Sequence, residues 1–535
     1  MKKLLLLLGM AASAAALPAQ TEYDITPLMK SDLNGTARFV GMGGAMSALG
    51  GDISTISTNP AGIGIFRSND LSMTLSYNMA DSKSVFGNST SKESRNRLSF
   101  DQIGFVYSNK IGNNTSLRFV NFGFNYHKYA NYNRLFTMQG SLDGTTSQTG
   151  YMAYQVAQGG ATYNSFSNML SASDRSAFQN ENFGWLGVMG GRTGLVDAAQ
   201  ETKDGVTTDY FYGWNGDYAS YRCQTKGGTS VYDFNVAFNV EDRFYFGATI
   251  GAYDVNYSRY SVYGEDLLRQ DGDDELTASY SLQHWYKTSG SGVDLKLGAI
   301  IRPFDDSSFR FGLAIHTPTW YSLTERYSTL LTSQYEMING ESIDTYQASI
   351  DSYDGWDGDV ENDYELTTPW KFNVSMGGTI GTNIALGAEY EYQDYSSARL
   401  KTPDGYEDDY MATQNSYIRE DLKGVHTLRL GGEFKLDPQF SFRVGYNYSS
   451  ALYNKTAYKE LGLYTTRTDT QFFNDYEQNT LTFGVGYRSS SFYADMAYLY
   501  SNQHADFYSY DDASLSPIGV TNETNRLMFT LGFRF

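Results

Sequence analysis

The sequence predicts an all-β protein: a transmembrane antiparallel β-barrel of about 14 strands, with an N-terminal hatch inside its lumen. Three observations lead to this fold. Apolar and polar residues alternate along many segments, the gaps between these segments are alternately short and long, and no run of about 20 apolar residues follows the N-terminal region. Side chains on a strand point alternately to its two faces. An apolar face opposite a polar one therefore suits a wall with lipid outside and water or ligand inside.

The last segment shows the alternation most clearly. Between Arg526 and Phe535, apolar side chains occupy every second position, and Thr530, Gly532 and Arg534 lie on the opposite face. We expect Phe535 to end the last barrel strand, because outer-membrane barrels present an apolar final strand of this kind to their assembly machinery.

Strands with this alternation are predicted across the rest of the chain, near 71–79, 98–109, 116–130, 229–240, 243–257, 280–301, 308–321, 366–380, 383–396, 425–436, 439–453, 478–488, 491–503 and 524–535. Six short turns and seven long loops join them, the loops near 80–97, 131–228, 259–279, 322–365, 397–424, 454–477 and 504–523. Long loops lie outside the cell and short turns lie in the periplasm.

The composition agrees with an exported membrane barrel. The 535 residues carry a formal net charge of -20, and 16% of them are aromatic. Acidic residues gather in gaps such as 271–275, 351–365 and 407–409, as expected for solvated outer loops. No basic stripe is present to neutralise phosphates, so the sequence excludes a nucleic-acid partner.

The N-terminus has the form of a secretory signal peptide. Two lysines precede Leu4–Leu8 and an alanine-rich stretch. Cleavage after Ala19 is predicted, with Ala16 as the alternative. The chain then divides into a signal peptide (1–19), an N-terminal hatch or plug (20–69) and a barrel with long extracellular loops (70–535).

The third strand breaks the alternation. Phe119 and Phe122 are three positions apart, so two apolar side chains would point to opposite faces of the strand. The apolar face of the second strand changes in the same way between Phe100 and Ile103. The slip indicates either an ordinary β-bulge or a gap in the barrel wall. Under the second interpretation, the lateral-opening candidates are Phe119, Val120, Asn121 and Phe122.

No motif predicts enzymatic chemistry. The sequence has no GxSxG, no HExxH and no complete phosphate-binding loop, so neither a catalytic site, a metal site nor a cofactor is expected. The alternation along the strands instead places several charged side chains on the face toward the lumen. These would pair with one another or receive an anionic head group, and the head-group candidates are Lys296, Arg310, Lys371, Arg429 and Arg443.

The gap 131–228 is unusually apolar for a loop. It predicts either an external contact site or a self-packed extracellular cap. Ser173 and Asp174 are placed to start a short helix through Phe178.

A glycine- and alanine-rich stretch at 43–62 carries a family resemblance. Its motif residues are Asp52, Ser54, Asn59, Pro60, Ala61 and Gly62. The stretch resembles the hatch of the outer-membrane long-chain fatty acid and hydrophobic compound transporters of Gram-negative bacteria (FadL/TodX type). The resemblance implies a fourteen-stranded barrel with an internal hatch, capture of apolar molecules outside, a pocket above the hatch and sideways release through a kinked third strand.

The function expected from the resemblance is passive uptake of hydrophobic small molecules, first among them long-chain fatty acids. A haemin-type receptor and a structural or adhesive barrel are the alternatives. The expected location is the cell outer membrane. The expected partners are hydrophobic small molecules, outer-membrane lipid and lipopolysaccharide, and the barrel assembly machinery, with the chain itself a monomer.

Overall fold

The computed structural model describes residues 20–180, 183–512 and 515–535. The predicted signal peptide, residues 1–19, lies outside the described residues. None of the helices in the described ranges is long and apolar enough to span a membrane.

Short helices occupy the N-terminal segment and the outer connections. The α-helices are α1 (Glu22–Met29), α2 (Ala37–Gly41), α3 (Gln148–Gln158), α4 (Tyr163–Ser171), α5 (Asp174–Phe178), α6 (Trp185–Arg192), α7 (Ser352–Trp356) and α8 (Asp409–Asp421). The 3-10 helices are Ile53–Ser57, Pro60–Ile65 and Tyr395–Ser397.

Strands form most of the chain. They are β1 (Asp70–Phe86), β2 (Ser89–Lys110), β3 (Leu117–Asn131), β4 (Arg134–Ser141), β5 (Asp197–Lys203), β6 (Val206–Tyr212), β7 (Asn215–Val240), β8 (Phe244–Asp271), β9 (Asp274–Ile301), β10 (Arg310–His316), β11 (Trp320–Asn339), β12 (Ser342–Asp351), β13 (Val360–Thr367), β14 (Lys371–Ile380), β15 (Ile384–Asp394), β16 (Arg399–Lys401), β17 (Gly424–Lys435), β18 (Phe440–Ser449), β19 (Phe472–Arg488), β20 (Phe492–Tyr508) and β21 (Ile518–Arg534).

The main sheet closes on itself because β21 pairs with β1 over their full common length. Nineteen strand segments of the described ranges belong to this sheet. Three barrel strands each consist of two segments (β10 with β11, β14 with β13, β15 with β16), β4 continues β3, and β12 belongs to an outer hairpin. The barrel therefore has 14 antiparallel strands, which confirms the predicted fold class.

Two prolines explain why two neighbouring barrel strands are each divided into two segments. Pro318 separates β10 from β11, and Pro369 separates β13 from β14. Proline has no backbone N–H to donate to the ladder. Thr319 and Thr368 bridge the break, since the Thr368 N–H donates to the Thr319 carbonyl at 3.0 Å.

Three of the predicted loops are wrong. Most of 322–365 is strand, because β11 continues to Asn339, β12 pairs with its outer end, and β13 returns along β11 from Val360. Residues 80–97 and most of 259–279 are strand, because β1 and β2, and β8 and β9, continue outward as long hairpins that end in two-residue turns. Polar residues dominate there, and apolar residues such as Tyr263 and Leu267 face the outer cap and not lipid. The alternation typical of a lipid-facing strand is therefore missing, and the pattern predicts a loop.

The barrel exterior carries an apolar band. Large side chains such as Phe234, Ile250 and Val444 point outward and are more than half exposed, whereas the alternate positions are turned inward. Exposed apolar surface of this extent on a closed barrel is stable in lipid, where all backbone groups are paired between strands. The chain is therefore a membrane-spanning barrel.

An outer cap covers one rim of the barrel. It contains α3–α6 and the β5–β6 hairpin, and its apolar side chains, among them Phe166, Trp185 and Leu186, pack into one buried cluster with outer strand residues such as Tyr263. Ser173 caps α5 as predicted. The apolar 131–228 segment is thus a packed cap.

The chain end completes the seam of the barrel. The Phe535 N–H donates to the Asn69 carbonyl, the Asn69 N–H donates back at 3.0 Å, and the Phe535 ring lies 6.4 Å from that of Phe105. We predict that deleting Phe535 lowers the amount of folded barrel in the membrane, because these closing contacts are lost. Heat-modifiable mobility on gels measures this, with Phe535→Leu as the conservative control. Equal amounts of folded protein from the deletion would contradict the prediction.

Candidate functional site

The N-terminal segment occupies the lumen. Helix α2 packs against the inner faces of β18–β21, and the 3-10 helix Pro60–Ile65 packs against β7, β8 and β9. The segment is almost entirely buried, including the polar side chains of Asp52 and Asn59. It therefore forms a plug that blocks the lower half of the barrel.

Asp52 holds the plug together. Its carboxylate accepts from the Thr36 hydroxyl at 2.8 Å and from the Ser54 N–H at 3.0 Å, and the Ser54 hydroxyl accepts from the Thr36 N–H at 2.8 Å. The motif residues Asp52 and Ser54 thus tie the start of α2 to the 3-10 helix Ile53–Ser57.

Asn59 fixes the plug to the wall. Its side-chain oxygen caps the next 3-10 helix by accepting from the Ala61 N–H at 3.1 Å, and its side-chain amide donates to the Ala299 carbonyl of β9 at 3.3 Å. The Asn-Pro-Ala-Gly turn fits because Gly247 and Gly298 face it. A Cβ on Gly298 would lie 2.0 Å from the Asn59 side-chain oxygen, and one on Gly247 would lie 2.3 Å from the Pro60 carbonyl carbon.

A polar cavity of about 280 Å³ lies directly above the plug. Cationic side chains outnumber carboxylates in its lining, which includes Lys30, Asp32, Arg134, Lys371, Glu391, Arg429 and Arg526. This lower cavity is therefore suited to an anionic group.

The five predicted head-group candidates are only partly in this cavity. Lys371 and Arg429 line it, but both pair with Glu391, Lys371 at 3.7 Å and Arg429 at 3.1 Å. The other three are engaged elsewhere.

Lys296 donates to Asp233 at 2.7 Å, and Arg443 bridges Glu433 and Asp495. Arg310 donates to the Leu49 carbonyl of the plug. The charges of Lys296 and Arg443 are thus neutralised by carboxylates, and Arg310 holds the plug through a hydrogen bond. The alternation along the strands predicts that all three side chains point inward, but it does not identify their partners.

Arg134 is the cationic residue that sequence reasoning missed. Its guanidinium donates to the Asp81 carbonyl at 3.0 Å, to Asn522 at 3.0 Å and to Thr524 at 3.2 Å. None of the ion pairs formed within residues 20–180, 183–512 and 515–535 includes Arg134, although it lines the lower cavity. Neutral acceptors hold this guanidinium in place and leave its charge available to a ligand.

An aromatic cavity of about 310 Å³ adjoins the lower one. Its lining includes Tyr23, Tyr132, Phe136, Tyr221, Cys223, Tyr257, Tyr453, Phe472 and Phe473. Five residues line both cavities: Lys30, Asp32, Asn131, Arg134 and Gln503. The two are consequently one continuous space with an aromatic upper part and a cationic floor.

Helix α1 forms one wall of the upper part and is tied down by buried charges. Asp24 accepts from Arg467 at 3.0 Å, and Asp469 accepts from both Arg467 and Arg259. Buried charges of this kind are tolerated only when they are paired and hydrogen-bonded. The plug is therefore linked to the outer connection 450–471 as well as to the barrel wall.

The barrel wall opens between β2 and β3. The two strands pair from Lys110 and Phe119 up to Gln102 and His127 and no farther. Asp101 forms a bulge there, because Thr74 pairs with Gln102 whereas its neighbour Leu75 pairs with Phe100. Beyond the bulge, β2 stays with β1, while β3 stays with β7.

The plug covers the freed edge of β3. The Asp32 N–H donates to the Tyr129 carbonyl at 2.8 Å, the Asp32 carboxylate accepts from the Asn131 N–H at 2.9 Å, and the Asn34 amide donates to the Lys128 carbonyl at 3.0 Å. Backbone groups without partners are costly at membrane depth. Residues 32–34 thus replace the missing strand and seal the opening from inside.

The lateral opening is not at the predicted position. Phe119, Val120, Asn121 and Phe122 pair continuously with both β2 and β7. The change of parity comes from a bulge at Arg118, which turns Phe119 inward, where the Arg67 guanidinium lies 4.6 Å from its ring. The bulge interpretation is correct for these four residues, and the gap lies farther along the same strand.

We predict that the double variant Asp32→Ala, Asn34→Ala unseals this opening, because the two side-chain hydrogen bonds to the β3 edge are lost. Diffusion of a small polar dye through reconstituted barrels should rise several-fold, since each lost bond contributes about 1 kcal/mol. Ser31→Ala, on the same segment, is the matched control. Unchanged leakage from a folded double variant would show that residues 32–34 do not close the gap.

Comparisons with known proteins agree with this architecture. We found no family model that matches the chain and no curated protein that is similar in sequence. Among solved structures, a Pseudomonas aeruginosa FadL homologue superposes with a TM-score of 0.50 at 13% identity, over 95% of this chain and 99% of that one. The chain has the FadL-type fold.

Two further solved structures of toluene transporters superpose less closely on this FadL-type barrel. The Pseudomonas putida transporter TodX gives a TM-score of 0.44 at 12% identity, over 95% of this chain and 100% of that one. The Ralstonia pickettii transporter TbuX gives a TM-score of 0.40 at 13% identity, over 94% of this chain and 99% of that one. The resemblance predicted from the hatch motif is confirmed by the fold of the FadL homologue.

Proposed function

We propose that this FadL-type barrel is a channel of the Gram-negative outer membrane for passive uptake of hydrophobic small molecules, with long-chain fatty acids as the preferred class. The observation that carries the proposal is the continuous cavity, aromatic above and cationic below, which ends beside a sealed opening in the wall. The fold that the chain shares with the Pseudomonas aeruginosa FadL homologue supports the same assignment.

A long-chain fatty acid matches both parts of the cavity. Its alkyl tail would replace water between the aromatic side chains of the upper part, which contributes about 0.8 kcal/mol for each buried CH₂. Its carboxylate would reach Arg134, which has neutral partners only. A bidentate contact with a guanidinium is among the stronger hydrogen-bonded pairs.

The hydrophobic effect also favours sideways release of the ligand into the bilayer. The tail of a fatty acid gains no free energy by moving into the aqueous periplasm, whereas it keeps its transfer free energy by sliding into the bilayer. The opening between β2 and β3 adjoins the cavity, since Asn131 lines the cavity and also bonds to the sealing residue Asp32. We propose that residues 32–34 withdraw from the β3 edge when a ligand occupies the cavity.

The proposal includes three further expectations. The barrel acts as a monomer, the assembly machinery of the outer membrane inserts it, and no enzymatic reaction takes place in it.

The lone cysteine provides a direct test of ligand binding. Cys223 lines the upper cavity and is 6% exposed. We expect oleate to slow alkylation of Cys223 by a small maleimide in a saturable way, because the tail occupies the same space. Haemin is the second arm of the experiment, since a haemin-type receptor is the alternative function.

The outcomes separate the candidate functions. Protection by oleate supports fatty acid uptake, and protection by haemin alone would replace it with the receptor function. Protection by neither ligand would contradict both and favour a structural or adhesive barrel. The variant Cys223→Ser, measured by direct binding of radiolabelled oleate, shows that the thiol itself does not bind the ligand.

A further inference from the structure

A buried carboxylate lies without a partner where the plug meets helix α8. Glu22, at the start of α1, is 1% exposed, and neither of its side-chain oxygens accepts a hydrogen bond. Its own backbone N–H lies near the carboxylate but outside hydrogen-bond geometry. No other carboxylate in residues 20–180, 183–512 and 515–535 has both oxygens buried and unbonded. Because an isolated buried charge is costly, Glu22 lacks the partner that a carboxylate in this position requires.

Helix α8 brings a second carboxylate and an amide oxygen to the same interface. Tyr410, Gln414 and Asp421 share one face of α8, because helical residues spaced by four and seven positions lie above one another. This face meets the plug, since the Tyr410 hydroxyl donates to the Gln20 carbonyl and the charge of Asp421 acts on Glu22. The Gln414 side chain therefore lies between two points of contact with the plug.

The oxygen atoms on this face of α8 also lack partners. Gln414 is 2% exposed, and its side-chain oxygen accepts no hydrogen bond. Asp421 is 5% exposed, and its carboxylate takes part in no hydrogen bond or ion pair within the part of the chain that the structure describes. The interface between α1 and α8 thus holds two carboxylates and one amide oxygen, none of which accepts a hydrogen bond.

The neighbouring cation does not neutralise these carboxylates. The charge of Lys459 acts on Glu22, but its ammonium forms an ion pair with Asp469 at 3.0 Å instead. Burial raises the pKa of Glu22 to about 8, and burial together with the charge of Glu420 raises that of Asp421 to about 7. Both shifts have a cause that a bound cation would offset, because ionised carboxylates are unfavourable where water is excluded.

We propose that Glu22, Gln414 and Asp421 bind a calcium ion that joins the plug to helix α8. Carboxylate and amide oxygens are ligands that Ca²⁺ prefers, and water can complete its shell of about 6–8 oxygens. Two carboxylates balance the charge of one divalent cation. No group of three or more Asp, Glu, His or Cys side chains in the described ranges could hold a metal ion, so a neutral amide oxygen is the third ligand.

The position of the site favours Ca²⁺ over Mg²⁺. Mg²⁺ gives up its water reluctantly and requires a stricter octahedral geometry, whereas Ca²⁺ accepts irregular sets of ligands. Glu22 and Gln414 are both buried, so a bound ion must lose much of its water. The inference uses the contact between α1 and α8 and does not depend on what passes through the lumen.

The test measures Ca²⁺ binding to the full barrel in detergent, after treatment with a chelator and without lipopolysaccharide, by equilibrium dialysis with radiolabelled Ca²⁺. We expect one saturable site with a Kd of roughly 0.1–1 mM, as in extracellular calcium-binding modules. Glu22→Gln and Asp421→Asn should each weaken binding at least about tenfold, since the number of charged ligands sets the affinity. Glu420→Gln, the exposed acid beside Asp421 on α8, is the matched control and should bind as the unaltered protein does.

Two further arms identify the third ligand and the metal. Gln414→Met, which keeps the volume but removes the oxygen, should show a smaller loss, and Mg²⁺ should compete at least about tenfold less well than Ca²⁺. Normal heat-modifiable mobility shows that each variant is folded. No saturable binding by the unaltered barrel, equal binding by folded Glu22→Gln or Asp421→Asn, or equal competition by Mg²⁺ would each overturn the assignment. The dialysis contains no oleate, so failure here is distinguishable from failure of the uptake function, which protection of Cys223 tests.

Discussion

Replacement of Arg134 by glutamine is expected to weaken oleate binding by about tenfold or more, because a hydrogen bond to a charged group contributes about 1.5–3 kcal/mol. Glutamine can still donate to the Asp81 carbonyl and to Asn522, so the barrel should fold. The measurement is the oleate concentration that half-protects Cys223 from alkylation. Arg419→Gln, an exposed arginine on α8, is the matched control.

The ligand series makes this prediction specific to the carboxylate. Binding of oleyl alcohol, which has the same tail and no charge, should change little in Arg134→Gln. Arg134→Lys should recover part of the oleate affinity, since it keeps the charge but loses the planar guanidinium. An equal loss for acid and alcohol would show that Arg134 shapes the cavity and does not bind the head group.

The substitution Gly298→Ala is expected to displace the plug. The added Cβ would lie 2.0 Å from the Asn59 side-chain oxygen and 2.9 Å from Pro60, so the Asn-Pro-Ala-Gly turn must leave the wall. Overpacking of a close contact destabilises by about 1–3 kcal/mol. Leakage of small polar solutes through reconstituted barrels should rise several-fold, and oleate uptake should lose its saturability.

Gly432→Ala is the control for this experiment. Gly432 lies on β17 and its nearest neighbour would be 3.5 Å from the added Cβ, an ordinary contact. Heat-modifiable mobility should be normal for both variants, since the strands of the barrel are not altered. A Gly298→Ala barrel that folds and leaks no more than Gly432→Ala would contradict the assigned role of the Asn59 turn.

The barrel itself was predictable from the sequence because lipid imposes a simple rule. Every second residue of a membrane strand must be apolar, and the short turns fix the order of the strands. The predicted strand count is confirmed for this reason. The rule ends at the membrane surface, so the sequence predicts loops where the structure has the outer parts of β1, β2, β8, β9, β11 and β13.

The candidate site was less predictable, because its parts come from distant segments. Arg134 follows β3 in a region interpreted as loop, and its neutral acceptors, the Asp81 backbone carbonyl and the Asn522 side-chain oxygen, lie on β1 and β21. The alternation along a strand shows which charged side chains point inward, but it does not show which of them pair with a carboxylate of the wall. It therefore selected Lys296 and Arg443, whose carboxylate partners lie on other positions of the wall.

One sequence signal could have located the plug contacts. Inward-facing glycines on neighbouring strands, among them Gly247, Gly298, Gly387 and Gly445, each leave room for a plug backbone or side-chain atom. A glycine at an inward parity position of a membrane strand marks a close approach from inside. The wall opening also had a sequence signal, because the apolar face of the second strand changes between Phe100 and Ile103, where the structure has the bulge at Asp101.

Oleate uptake through a barrel with a cross-linked wall is the decisive measurement for release between β2 and β3. In the Cys223→Ser background, Phe100→Cys and Lys128→Cys place one thiol on each side of the opening, and Ile103→Cys with Tyr126→Cys, a directly paired couple below it, is the control. A short bis-thiol cross-linker with a reducible disulfide closes either pair. Cross-linking 100 to 128 should abolish oleate uptake and leave radiolabelled oleate binding intact, reduction should restore uptake, and cross-linking the control pair should have no effect. Undiminished uptake through the cross-linked 100–128 barrel would contradict release between β2 and β3.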